Sequence, residues 1–318
     1  MINDITSFKI AFLASFESGL IVSLLFNPYI LYNFFVNFML ILHNKIITFG
    51  LILCYNIING GKIMISNNFS TDDIIGTNNF SHFIVIICFF SLAFILADKL
   101  SKKSNKTINI TVILCSLYVV ICEIIKMIYR YITVGTFRYV FPMPFCFLFI
   151  PAILIYLINN EKIKHFALTF LCSGSLMGGA LYIFVPNGSI DKYPIYHVNA
   201  IHGLSFHFIM VLLALIFLKR KMYVPNIKDY KYYFMFMGVS SIIALILNSF
   251  SGGNALFFGN DSGIPFLKYV IEKSRVLHIL IVFFGESVIL FFIFYVIYSI
   301  IMNLNIKIRK EVQNIHEH

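Results

Sequence analysis

The chain reads as an all-α, polytopic bundle of transmembrane helices, with a seven-helix core and one or two further helices ahead of it. Three observations lead there. Hydrophobic residues fill 59% of the 318 positions and charged residues 12%, where soluble domains carry about 45–50% and about 25%. Apolar runs such as Phe83–Ala97, Ile108–Ile121, Phe166–Val185 and Leu277–Met302 approach or exceed the roughly 18–20 residues that cross the hydrocarbon layer. Finally, backbone groups in lipid must be satisfied within the span, and these runs lack the alternation of a membrane barrel, so they are predicted to be helices.

The elements follow in order. Residues 1–78 form a membrane-associated N-terminal extension. Within it, one helix is predicted over 8–26 and another over 28–59, broken or split near His43-Asn44-Lys45. Residues 60–79 are rich in Asn, Gly, Ser and Thr and read as a loop. The core covers 79–302, with helices predicted at 80–97, 107–127, 140–158, 165–185, 199–218, 233–250 and 277–302. Residues 303–318 are a polar tail, and no internal repeat is visible.

The formal charge is +10, but no Lys/Arg run suits nucleic acid. The charge sits in loops and sets the orientation. The loops near 98–106, 159–165 and 219–232 and the tail carry fourteen Lys and Arg, and the opposite side carries seven. The positive-inside rule then places the C-terminus in the cytoplasm. No cysteine pair has CxxC spacing, which argues against a zinc ribbon or a disulfide framework. The N-terminus lacks a basic stretch before its apolar run, so a removable signal peptide is not expected.

With this topology, polar residues far apart in sequence meet at one membrane face. Cys146 lies near the outer end of the third core helix and His202 near the outer start of the fifth. A thiol and an imidazole at such depths could serve as nucleophile and base; the alternatives are a cysteine that only packs as a small hydrophobe and a hydrogen-bonded interfacial histidine. Pro142, Pro144 and Pro151 disturb the helix around Cys146 and free amides that could serve an oxyanion. Asn248 and Asn254 flank an outer turn and are candidates to orient the imidazole or hold an oxyanion, although Asn and Gly also favour such turns for local reasons. Glu123, Lys126 and Arg130 share one face of the second core helix. They fit an ion pair with a snorkelling arginine, or a lipid phosphate bound by Arg130 with Arg138. Glu286 lies deeper, inside the last helix, and Glu17 poses the same question nearer the N-terminus. Gly203 permits close approach of another helix or a ligand, and Gly174, Gly178 and Gly179 suit close helix packing. Histidines 197, 202 and 207 do not share a helix face, so no metal site is expected from them.

These landmarks carry a resemblance. Phe80-Ser81-His82, Pro142-Met143-Pro144-Phe145-Cys146, Gly178-Gly179 through Pro186, Tyr193-Pro194, His202-Gly203, and Asn248 with Gly253-Asn254-Ala255-Leu256-Phe257 occur in that order. Over residues 79–302 the chain resembles the YwaF-type family of bacterial integral membrane proteins. That family looks like a relative of a eukaryotic transmembrane acyltransferase that handles ether phospholipids. The resemblance implies seven core helices, a bacterial cytoplasmic membrane, and Cys146 as acyl-accepting nucleophile with His202 as its base. Two positions depart from the pattern. Pro144 stands where the family often has His or Gln, and Ala255 where it often has Tyr.

The leading expectation is a lipid acyltransferase acting near the outer leaflet on phospholipid or lysophospholipid, with no metal or soluble cofactor and no nucleic-acid partner. The alternatives are a transporter or channel lined by Glu123, Lys126, Glu286 and His202, and a non-enzymatic scaffold or sensor.

Overall fold

A computed structural model describes residues 70, 74–134, 143–186, 188–195, 197–251, 253–259 and 265–316. The extension predicted over residues 1–78, with its helices and Glu17, falls almost wholly outside these residues, as does Arg138. The described elements are helical throughout. Helix α1 spans Phe80–Ser101 and α2 Asn105–Val134. A 3-10 turn, Phe145–Leu148, leads into α3, Phe149–Tyr156. Helix α4 runs through Glu161–Phe170, a π turn at Leu171–Ser175, and Leu176–Phe184. Helix α5 spans Val198–Lys219, α6 Tyr230–Ser251 and α7 Pro265–Lys273. Helix α8 joins Arg275–Phe284, a second π turn at Gly285–Ile289, and Leu290–His316.

Six of these are long and apolar enough to cross a membrane, and the Phe145–Tyr156 stretch is a shorter apolar helix. The predicted bundle is therefore present, with four differences. The third helix begins at Phe145 rather than near 140. Pro144 is extended, and Pro151 cannot donate to the carbonyl four residues back, so the first turn tightens into a 3-10 turn. Helix α7 lies where only a connection was expected. Both π turns were unforeseen. The last helix continues past 302 to His316 instead of giving way to a tail.

Helices α4 and α5 form the centre. Their spans are 67% and 61% buried, against 28–33% for the other four. Helix α5 packs against α1, α2 and α4. It is apolar on all sides, as a central helix must be. Phe206, Met210, Leu213, Ile216 and Phe217 are all buried along it. The outer helices expose Phe83, Leu114, Ile242, Leu280 and Ile297. In water such a surface would aggregate; around a bundle it is the face offered to lipid tails.

Close approach is bought with glycine. A Cβ on Gly179 would stand 3.0 Å from Val211 and 3.1 Å from the His207 carbonyl, both on α5. A Cβ on Gly178 would stand 3.1 Å from the Phe145 ring. The packing role expected for these glycines is thus what they perform. Gly174, in the α4 π turn, faces Tyr233 of α6. The Tyr233 hydroxyl donates to the Glu286 carbonyl at 2.8 Å, in the π turn of α8. A π turn leaves a carbonyl without its usual intrahelical donor, and this tyrosine supplies one.

The basic loops share one face. Lys219 reaches Asp98 at 3.1 Å. Arg220 donates to the carbonyls of Ser101 and Lys103 at 2.9 and 2.7 Å and also bonds Asn105. The α5–α6 loop is thereby clamped to the α1–α2 turn.

Gly174→Ala tests the α4–α6–α8 contact. Its Cβ would fall 2.8 Å from the Tyr233 hydroxyl and from Phe170. We expect a loss of about 1–3 kcal/mol from overpacking, read as a lower unfolding midpoint in detergent. An unchanged midpoint would show that the contact is slack.

Candidate functional site: a buried polar cluster at the start of α5

The site lies at the end of the bundle away from the clamped basic loops. Helix α2 brings Glu123 and Lys126, and α5 brings His202 and His207. Lys126 Nζ stands 2.5 Å from Glu123 Oε1 and 2.6 Å from Oε2. His202 Nε2 stands 3.0 Å from Glu123 Oε2. The side chains of Glu123, Lys126 and His202 are only 4%, 13% and 10% exposed. Away from water a lone carboxylate is costly, and here it has two partners on two helices. The ion pair expected along α2 exists. Its contact with His202, on another helix, was not foreseen.

Cys146 is the second residue of the 3-10 turn and is partly buried. Its Sγ lies over Gly178, where a Cβ would stand 3.6 Å away. Lys126 and Glu286 both lie within electrostatic reach of it. Lys126 thus joins the thiol's surroundings to those of His202. Glu286 is buried in the α8 π turn, and its Oε2 accepts no hydrogen bond among the described residues.

Tyr182 completes the cluster. It follows Gly178 by one helical turn and shares its face. Its ring stacks on His207 at 3.5 Å with an interplanar angle of 3°. Its hydroxyl faces Ser189. That hydroxyl sits where a Cβ of residue 203 would be, so the close approach predicted at Gly203 is made by Tyr182. His207 Nδ1 meets the Gly203 carbonyl at 2.6 Å. The spacing from Gly178 could have flagged Tyr182; the stacking on His207 could not be read from sequence.

The two asparagines serve the neighbouring turn. Asn248 donates to the Ala255 carbonyl at 3.0 Å and accepts from the Ala255 amide at 2.7 Å. Asn254 Oδ1 accepts from the Gly259 amide at 2.7 Å. The turn then grips the cysteine segment, because the Leu256 amide donates to the Met143 carbonyl at 2.7 Å. Leu256 and Phe257 both have positive φ, 48° and 57°, which a non-glycine residue adopts only when its surroundings hold it. Asn248 is thus linked to the segment that leads into Cys146 through the backbone of 255–256 and Met143. Arg130 lies in α2, and its side chain, like all of Arg138, is outside the described residues.

A short cap covers this end. Asp191 accepts from the amides of Gly188 and Ser189 at 3.2 and 2.6 Å. Gly76 donates to the Ile190 carbonyl at 3.0 Å. His82 meets the Ile183 carbonyl at 2.8 Å, tying the start of α1 to the end of α4. His197 is buried, stacks on Tyr193 at 4.2 Å, and its Nδ1 accepts from the Asn199 amide at 3.1 Å, capping α5. Burial holds the His197 imidazole below the ordinary histidine value. Among the described residues no group of three His, Cys, Asp or Glu could hold a metal ion.

Fold and site together define a polytopic helical membrane protein with a buried carboxylate–imidazole–ammonium cluster beside a cysteine. The sequence profile of the TMEM164 family, a family of transmembrane proteins, matches residues 74–298, and the chain belongs to that family. No curated protein and no solved structure matches the chain.

Two predictions follow the geometry. Asn248→Ala removes the acceptor of the Ala255 amide, at about 1–3 kcal/mol for a buried donor, while the Phe258 amide still donates to the Ala255 carbonyl at 3.1 Å. We expect a lower unfolding midpoint together with faster maleimide labelling of Cys146; labelling at the native rate would break the link between turn and thiol. His197 folds in its neutral form with a lowered pKa. The unfolded chain therefore binds the extra proton first, and stability falls as pH drops below about 6.5. His197→Asn should flatten that acid limb. An identical pH–stability curve for the variant would remove His197 as its source.

Proposed function

We propose that the protein is a lipid acyltransferase, or a related acyl-transfer enzyme, in which Cys146 is the nucleophile and His202 its base. The observation that carries this reading is the placement of Lys126. It is bonded to the carboxylate that faces His202, and it lies within electrostatic reach of Cys146. The resemblance of the motifs around Cys146 and His202 to the YwaF-type family and its ether-phospholipid relative adds support.

The steps balance as follows. His202 takes the Cys146 proton, and the thiolate attacks the ester carbonyl carbon of a phospholipid. The tetrahedral intermediate expels the glycerol oxygen, which leaves as a hydroxyl with the proton from the imidazolium. A thioester remains on Cys146. The hydroxyl of a lysophospholipid then attacks it, giving its proton to His202, and the carbon–sulfur bond breaks to restore the thiol. Lys126 faces the developing negative charge with a fixed positive one. The proposal requires no metal or soluble cofactor. The lipid-facing walls of the bundle give acyl chains direct access. The basic loops, which share the face opposite the site, support an orientation with the site near the outer leaflet and the end of α8 in the cytoplasm of a bacterial cell.

The test is transfer of a labelled acyl chain from a diacyl phospholipid to a lysophospholipid by protein in vesicles. Cys146→Ser should lower the rate at least about 100-fold and abolish the hydroxylamine-sensitive acyl adduct. Full activity in Cys146→Ser would end the nucleophile assignment.

A further inference from the structure

We propose that Glu123 is a positioning residue for His202, forming with it a carboxylate–imidazole dyad inside the membrane. This rests on the acyl-transfer reading and deepens it. An ion pair with Lys126 alone would already balance the Glu123 charge. The structure adds an imidazole from a different helix, 3.0 Å from Oε2, at a point where Glu123 is buried and the other two side chains are 10–13% exposed. Such a contact adds to the stacking of the ring on Phe206, 5.4 Å between centroids, in fixing how it turns about its two side-chain bonds.

The consequence for the ring follows from its chemistry. With Nε2 standing 3.0 Å from Glu123 Oε2, the carboxylate favours the tautomer that keeps the proton on Nε2. The proton exchanged with the thiol then travels through Nδ1. When the imidazole becomes positive, the carboxylate stabilises it without itself taking a proton. Lys126 keeps the carboxylate ionised and in place. Other titratable groups near this dyad are Tyr118 and Cys122 on α2, Tyr182 on α4, and His207 on α5. Tyr118 donates to Ser205 at 2.9 Å, and His207 lies within electrostatic reach of His202. None of these presents a second carboxylate.

The experiment pairs kinetics with a direct view of the ring. Full-length protein labelled with nitrogen-15 histidine is placed in nanodiscs, and His202 is assigned by the signals lost in His202→Gln. The wild type should show a strongly hydrogen-bonded Nε2–H, and Glu123→Gln should lose that signature. In vesicles with labelled phospholipid and lysophospholipid, Glu123→Gln should lower kcat at least about tenfold with KM within twofold, and Glu123→Asp should recover part of the loss. Glu123→Gln also removes the carboxylate that pairs with Lys126. The double variant Glu123→Gln/Lys126→Gln removes both charges and should keep the fold while losing the same His202 signature, with a kcat loss at least as large because Lys126 also serves the reaction. An unchanged His202 spectrum in either variant overturns the proposal, as does a change confined to KM. The acyl-transfer reading fails separately, if Cys146→Ser stays active; the His202 spectrum still decides whether Glu123 holds the ring.

Discussion

In hydrocarbon, helices gain little by hiding apolar side chains from each other, because lipid tails are equally apolar. Cohesion must come from close approach. The contact between α4 and α5 meets that need, and the remaining helices are arranged around it. Gly179 brings α4 down on Val211 and the His207 backbone, and Gly203 of α5 receives the Tyr182 hydroxyl. One contact is made by removing a side chain on each partner in turn. Because α5 is apolar on every side, it can then be covered by α1, α2 and α4 at once.

In lipid, polar groups at such a packed centre are most stable with partners inside the protein. Glu123 is met by Lys126 and His202, the Glu286 carbonyl by Tyr233, the Ile183 carbonyl by His82, and the Ala255 amide and carbonyl by Asn248. These bonds join helices remote in sequence and pin the ends of α1, α3, α4 and α5. The requirement that stabilises the bundle also gathers its reactive side chains. A carboxylate that must be neutralised in lipid is met here by a cation on its own helix and an imidazole on another.

The two π turns belong to the same logic. Each interrupts its helix where a neighbour comes close: Gly174 faces Tyr233, and Tyr233 in turn holds the Glu286 carbonyl. An irregular backbone is tolerated at membrane depth only where protein covers it. The turn at 253–259 shows a related pattern outside the helices. Its two positive-φ residues are held by Asn248 and by the bond to Met143, so strain in one loop is tied to the position of the cysteine segment.

Much of the fold was legible in the sequence, and part of the site. Long apolar runs mark helices because lipid admits no other open backbone, so α1, α2, α4, α5, α6 and α8 were readable from hydropathy alone. Cys146, His202, Glu123 and Lys126 stood out as polar groups in apolar surroundings, and the spacing of Glu123 and Lys126 announced their pair. The amphipathic α7, the shortened α3 and the π turns left no such mark, since hydropathy is blind to which backbone bonds are made. What tertiary structure alone decided was partnership. Glu123 meets His202, Tyr182 fills the space at Gly203, and Asn248 holds the turn that grips Met143. These are contacts between segments far apart in the chain. Which side chains face each other depends on how helices rotate and approach, and that is set by the packing of all of them together.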